Sequence, residues 1–129
     1  YSTKFVAIRY GNVLGSSGSV LPRFIQQIKN NQKITVTDPK MTRFTITIDD
    51  ALDFILNSVS ESQGSETFIP KLKAYNIMDL KDALISTLGD SPFEIINIRP
   101  GEKMNETLIN KTEMDYTIKN EKKIHIIKT

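Results

Sequence analysis

The 129-residue chain carries 17 Lys and Arg against 15 Asp and Glu, a formal net charge of +2, with 39% apolar and 25% charged residues. That mixture suits one globular domain, and its interspersed charges present no basic face for nucleic acid or an anionic membrane. The absence of cysteine and the lone histidine, His125, exclude a disulfide framework, a thiol nucleophile and a multi-histidine metal centre, and suit a cytoplasmic location. No apolar run approaches the ~20 residues that span a bilayer. The opening Tyr1-Ser2-Thr3-Lys4 has neither an initiator Met nor a signal-peptide pattern, so the chain is expected to be cut from something longer.

Lys4 to Tyr10 holds Phe5, Val6, Ala7 and Ile8 in succession, which predicts a strand buried on both faces within a parallel sheet. It runs into Gly11-Asn12-Val13-Leu14-Gly15-Ser16-Ser17-Gly18-Ser19, whose glycines and serines permit close backbone approach to a ligand. A flexible loop is the alternative, since the segment lacks both the Gly-Lys-Ser/Thr ending of a phosphate-binding loop and a complete GxGxxG. Ser19 is placed to cap a helix, Pro22 is tolerated in a first turn, and Leu21, Phe24, Ile25 and Ile28 recur at helical spacing. An amphipathic helix over Val20 to Lys29, ended by Asn30-Asn31, follows. Ile34-Thr35-Val36-Thr37 alternates as a short strand, Asp38-Pro39-Lys40 turns, and Phe44 to Ile48 reads as the next strand. Met41-Thr42-Arg43 lies between the two, where an arginine can grip a phosphate bidentately; a solvated arginine on a hairpin is the commoner alternative.

Asp49 or Asp50 is expected to cap a second helix, with Ala51, Leu52, Ile55, Leu56 and Val59 as its buried stripe. A polar connection over Ser60 to Ser65 precedes a strand at Glu66 to Pro70. Ile77, Leu80, Leu84, Ile85 and Leu88 mark a third helix, started near Asn76 and stopped by Gly89. Phe93 to Ile98 reads as a strand stopped by Pro100 and Gly101, with Arg99 at its end. Met104 and Leu108, at i and i+4, predict a short helix from Glu102 to Ile109 with Glu102 near its positive end. Arg99 and Glu102 thus flank a Pro-Gly turn as a polar clamp; a solvated surface pair is the alternative. Tyr116-Thr117-Ile118 and Lys123 to Ile127 read as a hairpin, on which His125 faces solvent rather than serving as a base. Alternating strands and helices place the chain in the α/β class.

Five stretches then stand out together: Arg9-Tyr10-Gly11-Asn12-Val13, Gly18-Ser19-Val20-Leu21-Pro22, Ile34-Thr35-Val36-Thr37-Asp38, Met41-Thr42-Arg43-Phe44 and Arg99-Pro100-Gly101-Glu102-Lys103. In order and spacing they resemble the extended short-chain dehydrogenase/reductases that act on nucleotide sugars. Within that family they are most similar to the polysaccharide-biosynthesis branch, which holds inverting UDP-N-acetylglucosamine 4,6-dehydratases and their capsular relatives. The resemblance covers all but the C-terminal tail. It implies the C-terminal part of a Rossmann-like fold, with the last parallel strands and the small substrate-binding subdomain. The expected organisation is a single incomplete domain: 1–19 ends the cofactor-binding fold and forms a substrate loop, 20–114 binds the UDP-sugar, and 115–129 is a hairpin.

Residue by residue, the resemblance implies that Tyr10 and Val13 line the nicotinamide of an NADP held mainly by the fold's N-terminal half. It implies that Asn12 reaches the sugar diphosphate, that Ser19 and Val20 touch it, and that Thr35 and Thr37 contact the uracil. Arg43 and Arg99 match arginines on the pyrophosphate, and Glu102 matches an acid that accepts from the ribose hydroxyls. The chemistry suits, since guanidiniums neutralise phosphates and a carboxylate accepts from a diol. The family's glycine-rich dinucleotide turn and catalytic Tyr-x-x-x-Lys do not occur here: four residues beyond Tyr1, Tyr10, Tyr75 and Tyr116 stand Phe5, Leu14, Asp79 and Asn120.

The implied function is therefore the substrate-binding portion of an NADP-dependent inverting dehydratase in surface polysaccharide biosynthesis, with no catalytic residue of its own and no turnover alone. A UDP-sugar 4-epimerase or a 6-dehydratase/5-epimerase on the same fold is one alternative, and a non-catalytic nucleotide-sugar binding fragment is another. The implied partners are a UDP-sugar and, in the parent enzyme, further copies of itself. Apolar surface on the first strand and neighbouring helices predicts self-association of the segment.

Overall fold

A computed structural model describes residues 2–121 and 125–128. In chain order its first elements are β1 (Ala7–Ile8), β2 (Asn12–Val13), α1 (Val20–Lys29), β3 (Ile34–Val36), β4 (Thr42–Ile46) and α2 (Ile48–Glu61). There follow β5 (Glu66–Ile69), β6 (Lys73–Asn76), α3 (Ile77–Leu88), β7 (Phe93–Ile95), a 3-10 turn (Met114–Tyr116), β8 (Thr117–Lys119) and β9 (His125–Lys128). They gather into two units, one drawn from Tyr1–Gly11, Ile46–Lys73 and Thr107–Thr129, the other from Asn12–Thr45 and Ala74–Glu106.

The first unit holds a sheet in the order β1-β5-β9-β8. β1 runs parallel to β5, with Ala7 opposite Thr67, and β9 runs antiparallel to both β5 and β8. The C-terminal hairpin forms, with Ile118 opposite Ile126. Residues 122–124 and the side chain of His125 lie outside what is described, so the expected exposure of His125 does too. The expected interior strand is a correction. β1 is two residues long, stands at the sheet edge among the described strands, and leaves Phe5 76% exposed. Among the described strands its apolar run meets a partner on one side only.

Two side-chain clasps close this unit. Arg9 donates from both terminal nitrogens to the Glu113 carboxylate at 2.8 and 2.7 Å, and to the Leu108 carbonyl at 3.0 Å. Glu66, buried at 8% exposure, accepts from the Ser62 hydroxyl at 2.7 Å and from the amides of Gln63 and Gly64 at 2.9 and 2.8 Å.

Helix α2 departs from expectation twice. Its cap is Thr47, whose extended backbone lets the hydroxyl accept from the Asp50 amide at 3.1 Å. Asp49 and Asp50 sit instead in the first turn, where carboxylates suit the positive end of the dipole. The buried face is Ala51, Phe54 and Ser58, whereas Leu52, Leu56 and Val59 are more than half exposed. A helix apolar on more than one side does not reveal which side packs.

In the second unit Phe24, Ile28, Ile34, Val36, Met41 and Ile77 form the core. β3 and β7 pair in parallel, Ile34 opposite Phe93 and Val36 opposite Ile95, while β2, β4 and β6 form a second sheet in the order β2-β4-β6. α1 spans the expected residues and ends at Asn30, but Ser19 occupies the cap position without capping: its hydroxyl donates to the Ser16 carbonyl at 2.7 Å. α3 starts and stops as expected. Asn76 accepts from the Met78 amide at 2.8 Å, and Gly89 ends the helix at φ 116°, a conformation that suits glycine.

Lys81 is buried on α3, its ammonium 2.9 Å from Asp82 and 4.1 Å from the centre of the Phe93 ring. Ring face and carboxylate replace the water it has lost.

The short helix from Glu102 to Ile109 does not form. The Met104 carbonyl accepts from the Thr42 amide and from Arg43, both at 3.0 Å, and the Met104 side chain packs on the core. Those distant partners take the carbonyl a helix would have used. β7 likewise stops at Ile95, so Arg99 lies beyond the strand end, and β4 begins at Thr42, so Arg43 is on a strand rather than between two.

Candidate functional site

A cavity of about 230 Å³ opens in the second unit, built from the ends of short strands and the start of α1. β2 contributes Asn12, whose side chain acts to lower the pKa of the Tyr75 phenol. The turn before α1 contributes Gly18 and Ser19. Gly18 takes φ +74°, a left-handed backbone open to glycine at no steric cost, and this turn brings the start of α1 to the cavity. Val20 and Arg23 follow from the helix itself.

Thr35, Val36 and Thr37 line the wall formed by β3 and its end. Gln27 of α1 clasps that strand, donating its amide to the Thr35 hydroxyl at 2.9 Å and accepting from the Thr35 amide at 3.2 Å. Arg43 enters from β4 with its side chain 12% exposed. One terminal nitrogen donates to the carbonyls of Thr42 and Met104 at 2.7 and 3.0 Å, and Nε lies 3.9 Å from Glu106. Glu102 closes the cavity, accepting from the Thr37 hydroxyl at 3.4 Å and the Arg99 amide at 3.3 Å.

Asn12, Ser19, Val20, Thr35, Thr37, Arg43 and Glu102 are thus brought together around one space. Arg99 is not part of the lining. It is exposed, yet close enough to lower the pKa of Arg23. No ion pair joins Arg99 to Glu102 among the described residues; the turn holds them through the backbone. Val13 lines a separate recess of about 10 Å³ with Leu14, Val20 and Tyr75, while Tyr10 lies in the first unit and is 38% exposed. Burial raises the Tyr75 phenol above its ordinary pKa, against the opposing influence of Asn12 and of Arg43.

Sequence reasoning missed Arg23, Gln27 and Tyr75. A signal for the first two exists: Ser19, Arg23 and Gln27 recur every four residues and so share one face of α1. Tyr75 lies on β6, a strand that no pattern announced.

Guanidiniums, hydroxyls, an amide and a single carboxylate suit an anionic ligand that also carries hydroxyls or a polar ring. Among the described residues no cluster of His, Cys, Asp and Glu is arranged to hold a metal ion, and no helix is long and apolar enough to cross a membrane.

Comparison with known proteins gives one family, described as polysaccharide biosynthesis protein, matched over residues 1–128. The capsular polysaccharide biosynthesis protein CapD of Staphylococcus aureus is 45% identical over 87% of this chain and 20% of its own length. The UDP-N-acetylglucosamine 4,6-dehydratase (inverting) of Campylobacter jejuni is 41% identical over 89% of this chain and 34% of its own. Among solved structures, Pen from Bacillus thuringiensis superposes with a TM-score of 0.91 at 37% identity, covering 98% of this chain and 40% of that one. The chain therefore spans between a fifth and two fifths of each of these proteins.

Proposed function

Because this chain belongs to the polysaccharide biosynthesis protein family and has the α/β fold of part of a Rossmann-like short-chain dehydrogenase/reductase, we propose that it supplies the UDP-sugar-binding portion of an inverting UDP-N-acetylglucosamine 4,6-dehydratase. One observation carries the reading: Asn12, Thr35, Thr37, Arg43 and Glu102, which come from separate stretches of sequence, line a single cavity. In this reading Arg43 and Arg99 neutralise the diphosphate, Ser19 and Val20 border it, Thr35 and Thr37 meet the uracil, and Glu102 accepts from the ribose. The cavity is smaller than the roughly 300 Å³ at which sites for whole ligands begin, which suits the nucleotide end alone.

The reading also includes NADP. In it Tyr10 and Val13 border the nicotinamide, and because the recess beside Val13 has no cation for a phosphate, this chain borders the cofactor rather than holding it. The cofactor would supply the hydride carrier, and this chain's share is to bind and orient the sugar nucleotide.

The test is titration with UDP followed by NMR. Amide signals of Asn12, Thr35, Thr37 and Glu102 are expected to move with weak, saturable affinity, and Glu102→Gln is expected to weaken it. A well-dispersed spectrum that UDP leaves unchanged would overturn the reading.

A further inference from the structure

Arg23 stands one helical turn beyond Ser19, lines the same cavity, and has its Nε buried with no hydrogen-bond partner. Its guanidinium carbon lies 5.6 Å from the Phe24 ring centre, a contact that supplies no acceptor for the Nε–H. A buried guanidinium N–H without an acceptor is costly, and native structures keep such groups chiefly where something else supplies the acceptor.

The other charges in and beside the cavity are held differently. Arg43 faces Glu106 at 3.9 Å and two backbone carbonyls, and Arg99 shares its turn with Glu102. Counting the neighbours Arg99 and Glu106 with the lining residues Arg23, Arg43 and Glu102, three guanidiniums stand against two carboxylates, and among the described residues Arg23 is held in no ion pair. Its pKa is lowered first by burial and then by the charge of Arg99, with Glu102 opposing. An anion placed between Arg23 and Arg99 would relieve that repulsion and supply the missing acceptor together.

We infer that Arg23 is an anion-binding guanidinium of this cavity beside Arg43 and the neighbouring Arg99, its guanidinium N–H groups meeting a phosphate oxygen of a nucleoside diphosphate. This rests on the nucleotide reading above and adds a residue to it. A lysine here would keep the charge but lose the planar fork and its Nε–H.

The experiment follows the Arg23 Nε–H resonance, assigned by its loss in Arg23→Lys, while the chain is titrated separately with UDP, inorganic pyrophosphate and uridine. UDP and pyrophosphate are expected to shift it and uridine to leave it in place. Arg23→Leu is expected to weaken UDP binding by roughly tenfold or more, with Arg23→Lys intermediate and uridine binding unchanged. Amide spectra matching the parent establish that both variants fold.

If UDP moves Thr35 and Thr37 but neither the Arg23 resonance nor the Arg23→Leu affinity responds, the Arg23 role is overturned and the nucleotide reading stands. A response to pyrophosphate but not to UDP supports the anion role and overturns its nucleoside part together with that reading. No response to either anion overturns both.

Discussion

Glu66 and Glu113 both hold their carboxylates at a pKa of about 2, below the ordinary 4.5, for different reasons. For Glu66 the largest cause is the Ser62 hydroxyl, followed by the Gln63 amide, with burial opposing. For Glu113 it is the hydrogen bond from Arg9, followed by the Asn110 amide. Both folded-state values are depressed, so the unfolded chain takes up protons first as the pH falls. The stability they contribute is complete above about pH 4.5 and is lost progressively toward about pH 2. Melting temperatures are expected to fall through that window, and Glu66→Gln is expected to lower the neutral-pH value and flatten the fall. An unaltered slope in that variant would remove Glu66 from the account. Sequence pattern identified Glu66 only as the start of a strand, because its acceptor role depends on residues 62–64 curling back over it.

At the scale of elements, the three helix starts differ in a way that mutation can read. Thr47 and Asn76 each accept a hydrogen bond from the helix they begin, and Asn76 also donates to the Pro39 carbonyl at 3.0 Å. Replacing either by alanine is expected to cost about 1 kcal/mol in urea unfolding, with Asn76→Ala the larger. Ser19→Ala is expected to cost less, since that hydroxyl faces back to Ser16. Equal costs at all three would contradict the geometry. The extents of α1 and α3 were legible because periodic apolar residues and terminal Asn and Gly act within a turn or two of chain. The cap of α2 was not, because Thr47, Asp49 and Asp50 are all competent and backbone geometry chooses among them.

For the molecule as a whole, exposed apolar side chains set the expectation. Leu52, Leu56 and Val59 form an uncovered stripe on α2, and Phe5 is open beside β1. Such surface favours association, so the chain by itself is expected to self-associate with rising concentration. Light scattering checks this: Leu52→Glu combined with Leu56→Glu is expected to lower the mean mass. A parent chain that stays monomeric over the same range would refute it. The family relationship belongs to this scale as well, because each of its five short stretches is weak alone and specific only in their common order.

The sequence by itself determined the α/β class, the extents of α1 and α3, the C-terminal hairpin and the short stretches from which the candidate cavity is built. These rest on short-range signals: side-chain periodicity, caps, turn residues and the order of motifs. Only the tertiary structure decided that α2 buries Ala51, Phe54 and Ser58, that Glu102 to Ile109 is not a helix, and that Arg23 enters the cavity with its Nε unpaired. Each depends on groups far apart in the chain competing for the same buried surface or the same hydrogen-bond acceptor. The Met104 carbonyl shows this directly, since Thr42 and Arg43, some sixty positions away, claim it before a local helix can.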